Sequence, residues 1–176
     1  MCDLGKTIES KDKMKILVLS DSHGQRYRMA DIIAQHKDAS AIVFLGDGER
    51  DFELALAEND IDIYGNESIE ILQVCGNCDL MSNEPAAIIH EFAGLRFLIT
   101  HGFAQHVKRD LDRLEEEMEA RQCQVALYGH THMPRLKQSD GLFMFNPGAV
   151  LDGSYGIIII GSDCRISPES FTWNEY

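Results

Sequence analysis

Five times along this chain a short, largely apolar run stops abruptly at aspartate, histidine, asparagine, cysteine or glycine. Residues 14–20 close on Asp21-Ser22-His23, 41–45 on Gly46-Asp47-Gly48, and 69–74 on Cys75-Gly76-Asn77-Cys78-Asp79. Residues 96–100 close on His101-Gly102, and 124–128 on Gly129-His130-Thr131-His132. Aliphatic runs of this length, bounded by turn signals, suit strands buried on both faces. Between the first three, Tyr27, Met29, Ile32 and Ile33 predict a helix over 25–36, and Leu54 and Leu56 one over 52–57. Strand, helix, strand, helix, strand is the order of a parallel α/β core with right-handed crossovers. In such sheets ligands gather at the loops beyond the carboxyl ends of the strands. That is where these polar residues stand.

The second half has a different rhythm. Strands over 88–92 and 96–100 flank Ala93-Gly94 as a hairpin. Val107, Leu111, Leu114 and Met118 form an i, i+4, i+7, i+11 stripe and predict a helix over 104–122. Asp140-Gly141 signals a turn before a strand over 142–145, and 155–160 with 164–173 make a strand-rich tail. Residues 1–13 are expected to be a flexible lead-in and 14–176 a single domain, undivided by repeat or linker. The apolar runs are strand-sized, too short to span a bilayer, and 1–13 lacks the features of an export signal. Five scattered cysteines, odd in number, fit reduced thiols in a cytoplasmic protein.

Lys and Arg number 16 against 29 Asp and Glu, a formal charge of −13. Such a field repels the backbone of an extended nucleic acid. A small phosphate ester at a metal site stays compatible, because bound cations dominate the local field. The five loops offer seven ligand-type side chains: Asp21, His23, Asp47, Asn77, His101, His130 and His132. Carboxylate, amide oxygen and imidazole suit divalent first-row cations. Seven are too many for one tetrahedral zinc and fit two cations sharing a bridging carboxylate. Two metals about 3.5–4 Å apart can hold both oxygens of an in-line displacement at phosphorus. Singly, each has a plainer role: Asp21 a helix cap, Asp47 a turn, His101 a strand-end histidine. Arg26, Arg50 and Arg135 follow motif loops, yet surface charge explains them. Asn146-Pro147-Gly148 is most simply a tight turn, one that can also line the site.

The ordered set Asp21-x-His23, Gly46-Asp47, Gly76-Asn77, His101-Gly102 and Gly129-His130-Thr131-His132 resembles the calcineurin-like metallophosphoesterase superfamily. The short chain, the Gly76-Asn77-Cys78-Asp79 variant and Asn146-Pro147-Gly148 resemble its small YfcE-type phosphodiesterase branch. That resemblance implies a four-layer α/β/β/α sandwich without a cap domain. It implies Asp21, His23, Asp47 and His132 on one metal, and Asn77, His101 and His130 on the second, with Asp47 bridging. It implies hydrolysis of a small phosphodiester by in-line attack of a metal-bridging hydroxide, with Asp47, Asn77, His101 and Cys78 at the reacting centre. Mn2+ is the expected metal, with Ni2+, Fe2+, Zn2+ and Mg2+ as alternatives; dimers or tetramers occur in similar proteins.

Many members of the superfamily carry histidine where this chain has Cys78, and that histidine helps bind phosphate and protonate the leaving group. A thiol with a pKa of about 8.5 is a poorer cation and donor. A preference for activated diesters over dianionic monoesters is therefore expected. The alternative is a weakly active or inactive scaffold resembling the retromer subunit Vps29. A DNA-end nuclease is disfavoured by the acidic charge, and a Cys75–Cys78 redox pair leaves the other four loops unexplained.

Overall fold

Period-two alternation along each strand decides which layer its side chains enter. In the computed structural model, which describes residues 13–64, 69–139, 141–163 and 165–173, the chain runs β1 (Met14–Leu19), α1 (Arg26–Gln35), β2 (Ala41–Phe44), α2 (Glu49–Glu58), β3 (Glu70–Gln73), β4 (Ala87–Phe92) and β5 (Leu95–Thr100). It continues through α3 (Asp112–Ala120), β6 (Val125–Tyr128), β7 (Arg135–Ser139), β8 (Leu142–Asn146), a 3-10 turn (Val150–Asp152), β9 (Ser154–Ile160) and β10 (Ile166–Thr172).

Leu17, Leu19, Ile42 and Phe44 pack against α1 and α2, and Phe44 stacks on Phe52 with ring centroids 4.8 Å apart. Their neighbours Ile16, Val18, Ala41 and Val43 turn the other way and meet Phe97, Ile99, Val125 and Leu127 of the second sheet. Leu98, Ala126 and Tyr128 then face Leu111, Leu114 and Met118 around α3. The result is four layers: helices, sheet, sheet, helix. Burial on both faces is why these strands lack polar alternation.

The first sheet has the order β10-β9-β1-β2-β3 and the second β4-β5-β6-β8-β7. In the first, β1, β2 and β3 are parallel, with Leu19 beside Phe44 and Phe44 beside Gln73. In the second, β5 and β6 are parallel, with Thr100 beside Tyr128. Matched strand ends place the five polar loops side by side along one rim.

Three elements differ from the sequence expectation. The helix expected over 104–122 begins only at Asp112. Residues 103–109 form turns in which His106 adopts φ +56°, a left-handed conformation that a helix excludes. Val107 and Leu111 are buried all the same, so the stripe reports burial correctly and helix length incorrectly. The apolar pattern also misses the first turn of α2, which opens at Glu49. Strand β7 escapes the pattern because it is a largely exposed edge strand. Residues 1–12, Asp140 and Cys164 lie outside the described residues. Among the described residues no helix is long and apolar enough to cross a membrane.

Candidate metal centre

Five of the seven candidate ligands sit in left-handed backbone: Asp21 (φ +52°), His23 (+42°), Asp47 (+60°), His130 (+66°) and His132 (+61°). Non-glycine residues pay for this conformation with strain, and such strain clusters at functional sites. The loops themselves cross closely. A side chain at Gly76 would run into the amide and carboxylate of Asp47, and one at Gly129 into Ser20 and Asp21. Only glycine lets these backbones approach.

The side chains converge in two linked groups. Asp21, His23 and His132 form one: His132 Nε2 lies 3.1 Å and His23 Nε2 3.8 Å from Asp21 Oδ1, and the two Nε2 atoms are 3.3 Å apart. Asp47, His101 and His130 form the other: His101 Nε2 lies 3.4 Å from Asp47 Oδ2 and 3.1 Å from His130 Nδ1. Asn77 Oδ1 adds a fourth atom 3.2 Å from His101 Nε2. Asp47 joins the groups, since its Oδ2 is also 3.8 Å from His23 Nε2. Cys78 offers its sulfur to a third set with His23 and Asp47, whose ligand atoms all lie within 4.8 Å of one another. Asp21, Asp47, His101 and His130 are buried, whereas Asn77 and Cys78 are exposed. The rim therefore has a buried floor and an open side.

Three observations fit this cluster to divalent metal. Asp21 Oδ1 is buried and has no hydrogen-bond partner, although two imidazoles face it. An orphaned buried carboxylate oxygen is costly, and a cation removes the cost. His101 Nδ1 lies 2.8 Å from the Leu45 carbonyl, which can only accept; Nδ1 therefore carries hydrogen and Nε2 is left for a metal. The charge pattern also calls for a cation. Burial would raise the Asp47 carboxyl, but the His101 imidazole and the Cys78 N–H, 2.7 Å from Oδ1, hold it below the usual carboxylate range. Burial works against a charged His101, yet Asp47 and Asp21 outweigh it and raise its pKa. His130 is pushed down to about 4 by burial and by the charges of His101 and Lys108. His101 thus takes a proton where His130 stays neutral.

Around these ligands stands a supporting layer that sequence patterns reveal only in part. Asp79 accepts four backbone N–H bonds: from Asp47 at 2.7 Å, Gly48 at 2.8 Å, Glu49 at 3.0 Å and Gly76 at 2.8 Å. Its place two residues beyond Asn77 was the one available signal. Asp51 accepts from Ser22 Oγ and Gly24 N, both at 2.7 Å. Asn146 donates to the Gly129 carbonyl at 2.8 Å and accepts from Gly148 N, tying the Asn146-Pro147-Gly148 turn to the histidine loop. Asp21 Oδ2 takes the His130 N–H at 3.0 Å, linking the two sheets. Arg26 is held by Glu58 at 3.0 Å, and Arg50 lines a cavity beside Cys78.

The calcineurin-like phosphoesterase superfamily domain matches residues 14–158. Phosphodiesterase MJ0936 of Methanocaldococcus jannaschii is 30% identical, over 84% of this chain and 91% of its own. Phosphodiesterase YfcE of Escherichia coli is 31% identical, over 78% of this chain and 79% of its own. Vacuolar Protein Sorting 29 from Cryptosporidium parvum superposes with a TM-score of 0.67 at 15% identity, over 92% of this chain and all of its own.

Proposed function

This chain belongs to the calcineurin-like phosphoesterase superfamily and is a metal-dependent hydrolase of phosphate esters, and from that premise we propose that it is a dinuclear phosphodiesterase acting on a small diester. The observation that carries the proposal is the convergence of two ligand groups on Asp47, beside a buried Asp21 oxygen that lacks any donor. Asp21, His23, His132 and Asp47 would hold one cation; Asp47, Asn77, His101 and His130 would hold the second. Bound there, divalent cations, with Mn2+ the proposed metal, would supply a water of lowered pKa and neutralise charge on the phosphoryl oxygens in an in-line displacement.

The chain's own groups account for the rest. Asp47 stays ionised, because its carboxyl is held below the usual range. Asn77 stands at the open side, where its side-chain amide can meet an equatorial oxygen, whereas the Cys78 N–H is already given to Asp47 Oδ1. In the metal-free chain burial and the neighbouring Asp47 push the Cys78 thiol up, and in either protonation state a cysteine brings no positive charge to this position. Such a side chain neither attracts a dianionic monoester nor readily protonates a poor leaving group. That favours diesters with good leaving groups.

The test is elemental analysis of the purified protein, together with hydrolysis of bis-p-nitrophenyl phosphate across Mn, Ni, Mg and Zn with a chelator control. Two metal equivalents and chelator-sensitive hydrolysis, faster on the diester than on p-nitrophenyl phosphate, support the proposal. Metal binding without hydrolysis by any of the four ions favours the scaffold reading, with which the Vps29 likeness in fold is compatible.

A further inference from the structure

Three cavities border the metal-ligand cluster, and two of them carry opposite charges. One, of about 640 Å³, lies between α2 and residues 78–82 and carries Glu49, Asp51, Glu53 and Asp79 against a single Arg50. The other, of about 280 Å³, is lined by Phe103, His106, Lys108, Arg109, Arg113 and His130. His130 belongs to both the second cavity and the ligand cluster, so the two share a wall.

In a chain with a net charge of −13, three cationic side chains lining one small cavity are a local reversal of field. Arg109 is engaged by Asp110 at 2.8 Å. Lys108 and Arg113 take part in no ion pair within 4.0 Å among the described residues, although Asp110 and Asp112 lie beside them in sequence. Phe103 is 54% exposed and its ring stands perpendicular to that of His130, with centroids 5.4 Å apart. Its loop is anchored: Val107 is buried, its N–H bonds the Gly102 carbonyl at 3.3 Å, and Gly102 at φ +97° leaves room for it. A half-exposed aromatic ring on an anchored loop next to two cations outside any ion pair is chemistry for a nucleotide: a base stacks on the ring and a phosphate pairs with the cations.

We propose that this cavity is a specificity site for a second phosphate, and that the preferred substrate is a nucleotide diester bearing one further phosphate group on the basic side. The inference rests on the phosphodiesterase reading and names the substrate class of that site. The acidic cavity opposite repels the same group and so fixes the direction of binding.

The test compares inhibition of bis-p-nitrophenyl phosphate hydrolysis by an adenosine monophosphate and by an adenosine bisphosphate with its phosphates on separate ribose hydroxyls. The bisphosphate is expected to inhibit about tenfold more tightly. In Lys108→Ala/Arg113→Ala, whose replaced side chains are exposed and leave the core intact, that ratio is expected to fall to near one. Equal inhibition in the wild type, or a ratio unchanged in the double variant, overturns the inference. If none of the metals tried supports hydrolysis of the diester, the phosphodiesterase reading fails on its own; calorimetric titration of the same two nucleotides into the metal-loaded protein then decides the cavity, and equal affinity overturns it.

Discussion

Asp47 is the residue on which the two ligand groups depend. Its Oδ2 faces His101 and His23, its Oδ1 takes the Cys78 N–H, and its own N–H is held by Asp79. Asp47→Asn keeps the shape and removes the charge. It is expected to lower bound metal from two equivalents to one or fewer, and to reduce hydrolysis by more than the about 100-fold that loss of an outer partner causes. Retention of both metals and full activity would refute a bridging role. His101 sets the pH dependence. Its raised pKa means that a proton occupies Nε2 at pH values where an ordinary histidine is already neutral. In the metal-free protein this pairing stabilises the fold below the ordinary histidine pKa, and the contribution is lost as pH rises through the raised value. A metal must displace that proton. Affinity is therefore expected to climb by up to about tenfold per pH unit until the raised pKa is passed, then level off. His130, neutral above about 4, adds no slope near neutrality. Titrations with a competing chelator at several pH values measure this, and a flat profile would contradict it.

At the scale of elements, one carboxylate organises two loops and a helix start. Asp79 gathers N–H groups from Asp47, Gly48, Glu49 and Gly76, so it caps α2 and fixes the loop that carries Asp47. Asp79→Ala strips four donors of their acceptor. The expected result is a stability loss of about 2 kcal/mol or more by chemical denaturation and about 10–100-fold weaker metal binding. Stability and affinity both unchanged would show that water replaces the carboxylate. The same elements show what sequence can reveal. The strands were legible because burial on both faces leaves unbroken aliphatic runs, as in 16–19 and 41–45. The ligand loops were legible because each follows such a run. Asp79 was not, because its main partners are backbone groups about thirty residues earlier, and no periodicity encodes them. The start of α3 was not, because Val107 is buried by a turn as completely as by a helix. Strand β7 was not, because an exposed edge strand needs no alternation.

For the whole molecule, the cluster is also a joint. Asp21, His23, Asp47 and Asn77 come from loops of the first sheet, whereas His101, His130 and His132 come from the second. Protein contacts alone already span this seam: Asp21 takes the His130 N–H, and His101 reaches the Leu45 carbonyl. A cation ligated from both sides adds a link that the unfolded chain cannot make, because the ligands are scattered from residue 21 to residue 132. It also offsets two buried carboxylates in a chain that carries a net charge of −13. Metal in about 100-fold excess over its dissociation constant contributes about 2.7 kcal/mol to folding. For a domain of this size that corresponds to about 5–10 °C in melting temperature. Chelation is expected to lower the melting temperature by that amount and readdition of metal to restore it. Asp47→Asn, with the joint broken at its centre, is expected to melt near the chelated wild type and to respond to chelator by less than half as much. A wild type whose melting temperature ignores chelator, while elemental analysis shows the metal removed, would mean that the two sheets hold together without the cations and that the ligands serve chemistry alone.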